Sequence, residues 1–356
     1  MDMIGKIVAL TCLGTFAAGA QTIVFNGCNN TSNKYFTFTA YNGNNNHIAK
    51  VSLKNNIPAD ACRDITLVIP AVYERNGRQY QTCNEEEAFS DVRDKREVDA
   101  DKRLNIRIKL EKRGNEFVKM PKNCEGMFAN SGFVEIDLWG IGAASNITNT
   151  KMMFWGCNKL EKVNFGNFNA SGVTNMQSMF QHCCKLKELD LSKFNTQNVT
   201  DMSLLFMECN KLEDLDITSF NTSNVTTMQS MFNGCHNIKR LDLSNFNTRN
   251  VKSMAWMFDK CKNLEKINLS SFRTYNVEDM CYMFRGCSKI QNLDLSSFSI
   301  INTEYYGSML EGCNNLVVVD EPRVQTYELK QYIYGHVFST IDSLMKNNGT
   351  ELAELN

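Results

Sequence analysis

A Met-Phe pair recurs at a fixed step of 26 residues: Met127-Phe128, Met153-Phe154, Met179-Phe180, Met231-Phe232, Met257-Phe258 and Met283-Phe284, with Leu205-Phe206 and Met309-Leu310 as variants. Cysteines Cys157, Cys183, Cys209, Cys235, Cys261, Cys287 and Cys313 keep the same step without an insertion. A strict period of this size means supersecondary units stacked side by side, each covering an apolar face that its neighbour cannot bury alone. Such an array grows by addition, so the 356 residues do not convert into a count of globular domains.

One unit, residues 186–211, shows the internal logic. Leu186, Leu189 and Leu191 form an L-x-x-L-x-L segment, the strand signature of a leucine-rich repeat, with Leu189 and Leu191 on one face and Asp190 on the other. A polar turn follows from Ser192 to Asn198, interrupted by Phe194. Val199, Met202, Leu205, Phe206 and Cys209 are then apolar at steps of three and four, which predicts a short helix with Asn198 as its N-cap. The fold expected over 121–321 is therefore an α/β solenoid of about eight strand, turn and short-helix units. Phe168, Phe194, Phe220, Phe246, Phe272 and Phe298 should form a further interior column, and truncating one rung should cost about 3–5 kcal/mol.

The segment "LDLSNFNTRNVKSMAWMFDKCKNL" resembles the repeat of BspA-like leucine-rich-repeat surface proteins, in the subgroup reading L-D-L-S-x-F-x-T-x-N-V-x-x-M-x-x-M-F-x-x-C. The resemblance runs from residue 124 to about 321, and residues 65–89 resemble the opening unit of that family. It implies an exported or cell-surface solenoid that binds host or neighbouring-cell proteins, and it supplies no catalytic residues. Asn76-Gly77 is a hairpin signal on its own.

The two ends lie outside the periodic array. In residues 1–20, Lys6, the apolar run Ile7 to Ala18 and the small residues Ala18-Gly19-Ala20 have the form of a secretory signal peptide. Residues 21–120 are expected to be a β-rich N-terminal region or capping repeat, with the charged stretch 85–113 on its surface. Over 322–356, Leu329, Ile333, Val337, Ile341 and Leu344 follow helical spacing and predict a helical C-terminal cap. No later stretch is apolar enough for a transmembrane helix.

With 38 basic and 39 acidic residues the chain has no global field to draw nucleic acid, so none is expected as a partner. The repeated cysteines read as buried free thiols acting as small hydrophobes, because side chains in register point the same way. Cys28, Cys62, Cys83 and Cys124 are the better candidates for bridges. The exposed stripe Glu161, Lys187, Glu213, Lys239 and Glu265 alternates in sign and reads as self-neutralising. The column Asp137, Asn164, Asp190, Asp216, Asp242, Asn268, Asp294 and Asp320 has two readings, calcium through oxygen ligands or hydrogen bonding to neighbouring Ser and backbone. The Asn column, Asn146, Asn198, Asn224, Asn250, Asn276 and Asn302, reads as a capping and hydrogen-bonding ladder, and Asn146, Asn198 and Asn224 open N-x-S/T sequons.

Recognition has to be written where the units differ. Trp256 and Tyr282 share one variable column on adjacent rungs, with Arg249, Arg273, Tyr275 and Arg285 near them in register, a composition typical of interface anchors. The competing reading is a half-buried pair packing on itself. No HExxH, G-x-S-x-G or P-loop occurs; residues 134–145 lack the third glycine of a dinucleotide fingerprint, and His182-Cys183-Cys184 lacks a fourth zinc ligand. The sequence thus points to a non-catalytic, secreted or cell-surface protein-binding solenoid without cofactor or metal, an adhesin or interaction scaffold. Its partners would be extracellular or host-cell proteins. The alternative is a structural envelope component that self-associates or binds glycan.

Overall fold

The computed structural model describes residues 21–25, 35–42, 44–54, 64–75, 78–84, 88–89, 105–142 and 146–320, together with Ile333, Gly335, His336 and Ser339. The signal peptide expected over 1–20 lies outside them. Ten strands come first: β1 (Gln21–Val24), β2 (Phe36–Tyr41), β3 (Asn44–Leu53), β4 (Asp64–Pro70), β5 (Val72–Arg75), β6 (Arg78–Gln81), β7 (Cys83–Asn84), β8 (Asn105–Glu111), β9 (Phe133–Asp137) and β10 (Lys162–Asn164). β1, β4, β8, β9 and β10 form one parallel sheet in that order, β2-β3-β7 form a second sheet in which β2 and β3 run antiparallel, and β5 pairs antiparallel with β6. β4 reads DITLVIP and is buried from Ile65 onward, as a central parallel strand covered on both faces requires. The β-rich N-terminal region thus feeds its parallel sheet directly into the first repeats.

Beyond it, strands shrink to three residues: β11 (Arg240–Asp242), β12 (Lys266–Asn268), β13 (Asn292–Asp294) and β14 (Val318–Asp320). β11 pairs with β12 and β13 with β14 in parallel, each residue opposite the one 26 positions on. On the other side of every rung a column of parallel bridges runs Asn123, Asn149, Asn175, Asp201, Thr227, Ser253, Asp279, Tyr305.

The expected short helices are not there, and this corrects the fold class. Val199 to Cys209 and its equivalents are chains of β-turns. In the rung around Phe180, the N–H groups of Met179, Gln181 and Cys183 donate locally to the carbonyls of Met176, Ser178 and Phe180 (3.2, 3.1 and 3.0 Å). Those of Ser178, Phe180 and His182 donate instead to Ser203, Leu205 and Met207 on the next rung (2.9, 2.9 and 2.8 Å). Half the donors that a helix would use internally cross between rungs. Left-handed φ values recur in register to allow it, at Met152, Ser178, Leu204, Ser230, Trp256, Tyr282 and Ser308, and again four residues later. That second column includes Gly156, Gly234, Gly286 and Gly312, at the third turn position where a type II turn favours glycine. Spacing misled because a chain of β-turns, like a helix, returns apolar residues to one side every three or four positions.

The helical cap expected over 322–356 is likewise not part of the described architecture. Only Ile333, Gly335, His336 and Ser339 of that stretch are described, as helical positions, with Ile333 buried in the core. Among the described residues the structure is a nearly helix-free stack of parallel strands and turns.

Its interior is columnar. Rings of Phe89, Phe128, Phe154, Phe180, Phe206, Phe232, Phe258 and Phe284 stack in one continuous series with centroids 5.2–5.7 Å apart. The column Phe168 to Phe298 is buried throughout, with rings stacked at Phe168–Phe194 and Phe272–Phe298. Beside the rings, each ladder cysteine from Cys157 to Cys313 donates its thiol to the carbonyl of the Phe 29 residues earlier, at 2.9–3.2 Å. Burial pushes the Cys313 thiol up to about 12. Cys124, a bridge candidate by sequence, is buried with its thiol donating to the Pro121 carbonyl at 3.4 Å; Cys28, Cys62 and the side chain of Cys83 lie outside the described residues.

A second column escaped the sequence reading. Thr196, Thr222, Thr248 and Thr274 are buried, and each Oγ1 donates to a carbonyl on the next rung (Asn221, Asn247, Arg273, Ser299; 2.7–3.1 Å). The same oxygens accept the N–H of those same residues at 2.7–2.8 Å. One hydroxyl thus satisfies a backbone donor and acceptor that would otherwise be buried without partners.

Candidate interaction surface

With the interior committed to columns, three polar surfaces remain. On the strand side, the Asp column closes Asx turns. Oδ1 of Asp190 accepts from the N–H and Oγ of Ser192 (3.0 and 2.6 Å), Asp216 does the same with Thr218 (3.0 and 2.7 Å), and Asp242 and Asp294 accept from the N–H of Ser244 and Ser296. Those hydrogen bonds hold Asp190, Asp216, Asp242 and Asp294 below the ordinary carboxylate range. Asp137 moves the other way because burial dominates, against the N–H of Trp139 and the charges of Lys109 and Lys162. Among the described residues no three His, Cys, Asp or Glu side chains converge in a way that could hold a metal. Of the tight His/Cys triplet, Cys183 donates to the Phe154 carbonyl and the His182 ring lies 3.3 Å from Gln181 Nε2.

Glu161, Lys187, Glu213, Lys239 and Glu265 are exposed, and no ion pair joins them. Salt bridges between rungs sit on the turn side instead, at Lys151–Glu125 (3.5 Å), Lys252–Glu278 (3.0 Å) and Arg285–Asp259 (2.8 Å). The Asn column does not cap helices. Nδ2 of Asn198, Asn224, Asn250, Asn276 and Asn302 donates to the carbonyl 27 residues earlier at 2.6–2.8 Å, tying each turn to the rung before it.

On the turn side the structure brings together three of the six candidate recognition residues. Trp256 and Tyr282 stack at 5.8 Å with 9° between their planes, and the Arg285 guanidinium lies 4.5 Å from the Tyr282 centroid. Arg285 also forks onto both carboxylate oxygens of Asp259 at 2.8 Å, and that hydrogen bond raises its pKa further. Asp259 is buried and was missed in sequence; its column holds Asn233, Asp259 and Arg285 on successive rungs, a pairing legible only once the register is known. Trp256, Tyr282 and Arg285 are half-buried. Arg249 and Tyr275 share a different, exposed column, and the Arg273 guanidinium donates to the carbonyls of Ser270 and Phe272 (3.3 and 2.8 Å). No hydrogen bond, ion pair or ring contact joins these three to the Trp256–Tyr282 pair.

These columns define a class first: a repeat scaffold of parallel strands and turns whose residues in register bond rung to rung. One family, described as Mycoplasma protein of unknown function, DUF285, matches residues 122–240 and again 206–319. The two spans cover more than half of the chain, and the chain belongs to that family. A crystal structure of a leucine-rich repeat protein from Bacteroides ovatus ATCC 8483 is similar at 16% identity, over 82% of this chain and 76% of that one, with a TM-score of 0.36. That likeness is too loose to carry the architecture, which rests on the rung geometry itself. Comparison with curated proteins gave no match. Among the described residues no helix is long and apolar enough to cross a membrane.

Proposed function

We propose that this chain is a secreted or cell-surface scaffold of the BspA-like leucine-rich-repeat kind that binds extracellular or host-cell proteins without catalysis. One observation supports the reading above others: the buried ring, thiol and hydroxyl columns repeat with almost no variation, whereas the exposed turn positions change from rung to rung. A surface that varies on an invariant frame suits recognition of a macromolecule. Trp256, Tyr282 and Arg285 form its aromatic and cationic anchor, and Arg249, Arg273 and Tyr275 flank it. Capture of intact host or neighbouring cells by the purified chain, compared with the double variant Trp256→Ala and Tyr282→Ala, tests this. Capture should weaken about tenfold or more while the melting temperature holds. Unchanged capture by the variant removes the anchor, and no capture by the parent chain removes the function.

A further inference from the structure

The repeat grammar breaks at exposed positions on the last rungs, and the breaks share a chemistry. In the bridge column, Asn123, Asn149, Asn175, Asp201, Thr227, Ser253 and Asp279 each accept the N–H two residues on through a side-chain oxygen. Tyr305 occupies the next place and cannot make that bond, since its hydroxyl sits at the far end of a ring. It is instead 58% exposed. In the column that reads Gln197, Ser223 and Arg249, the following rungs place Tyr275 and Ile301, 41% and 67% exposed. A local rule given up where a large apolar or aromatic side chain is displayed marks a position kept for something other than folding.

On the turns of these last two rungs carboxylates outnumber cations, with Arg249 and Arg273 lying on the Tyr275 side. Glu278 and Glu304 are neighbours in one column, the N–H of Glu304 donating to the Glu278 carbonyl at 2.9 Å, where like charges repel. Lys252 pairs with Glu278, and among the described residues no ion pair reaches exposed Glu304. Asp279 and exposed Glu311 lie on the same turns. Arg285, one rung before Glu311 in the same column, is committed to Asp259.

We propose that the turn face carrying Tyr275, Ile301 and Tyr305, edged by Glu278, Glu304 and Glu311, docks an arginine- or lysine-bearing segment of a protein partner. Aromatic faces and exposed carboxylates together select a cationic side chain, the rings taking its charge or its alkyl stem. The inference rests on the protein-binding reading above and names the chemistry of the partner. Tyr282 with Arg285 is an internal instance of the same contact.

Fluorescence anisotropy of a labelled nine-arginine peptide with the full chain, against a nine-glutamine control, tests it. The arginine peptide should bind, the control should not, and raising salt should weaken binding. Glu304→Lys should lower affinity about tenfold. Tyr305→Asn restores the missing turn acceptor, so it should keep or raise the melting temperature while weakening binding, which separates docking from folding. Binding that is absent, or indifferent to both substitutions, overturns the inference. A chain that captures cells but ignores the peptide overturns this inference alone; one that binds the peptide but no cell surface overturns the preceding reading alone.

Discussion

At the scale of single residues, the frame depends on side chains that stand in for backbone. Thr248 is the clearest case, since its hydroxyl donates to the Arg273 carbonyl at 3.1 Å and accepts the Arg273 N–H at 2.7 Å. Thr248→Val keeps the shape and removes both bonds, leaving a buried donor and acceptor unpaired, and should cost roughly 1–3 kcal/mol in urea unfolding. Thr248→Ser keeps both and should lose less. A larger loss in the serine variant would show that the methyl group, not the hydrogen bonds, carries the position. The cysteines follow a similar logic: the thiol fills a small apolar space and still reaches the Phe carbonyl of the preceding rung. Sequence alone suggested the first half of that role and not the second, because the acceptor lies 29 residues away.

At the scale of the element, the rung is closed by turns, and their carboxylates set an acid limit on stability. Hydrogen bonds favour the ionised forms of Asp190, Asp216, Asp242 and Asp294, so their folded pKa values lie below the unfolded value near ~3.9. Their contribution is present above that value and is lost as pH falls through the folded pKa values. Asp137, raised by burial, acts with the opposite sign, its contribution being lost as pH rises. At Asn164 and Asn268 an amide oxygen makes the same turn, to Gly166 and Ser270 at 3.1 and 3.2 Å. Replacing the four aspartates by asparagine, which keeps the turn but not the charge, should therefore lower the neutral melting temperature slightly and flatten its fall below about pH 4. A melting profile with an unaltered acid limb would locate that limit elsewhere. The same spacing at Ile238, Leu241 and Leu243 marks strand β11, whereas residues 186–191 run without strand pairing; the buried face of the turn half was legible throughout. The turns themselves were not, because helix and turn chain share an apolar spacing; the discriminating signal was glycine at Gly156, Gly234, Gly286 and Gly312, a residue that weakens a helix interior by about 1 kcal/mol.

At the scale of the whole molecule, contacts run between neighbouring rungs, so register matters more than length. Deleting residues 209–234 removes one full period and joins Glu208 to Cys235, which leaves every column in phase. The shortened chain should fold with an unchanged circular dichroism spectrum per residue and a single melting transition. Deleting only 209–221 joins Glu208 to Thr222 and sets polar turn residues against the ring and thiol columns; that chain should fail to melt cooperatively. Cooperative folding of both would mean that the columns do not govern the architecture.

What the amino-acid order determined by itself was the period, the buried face of each unit, the buried thiol ladder and the variable column holding Trp256 and Tyr282. All of these are properties of one repeat compared with the next, and a period is visible without coordinates. Only the tertiary structure decided where the backbone hydrogen bonds go, that Asp259 meets Arg285, and that Tyr305 stands in a broken column. Partners 25 to 29 residues apart are fixed by how one rung seats on another, and sequence spacing within a rung carries no record of that seating.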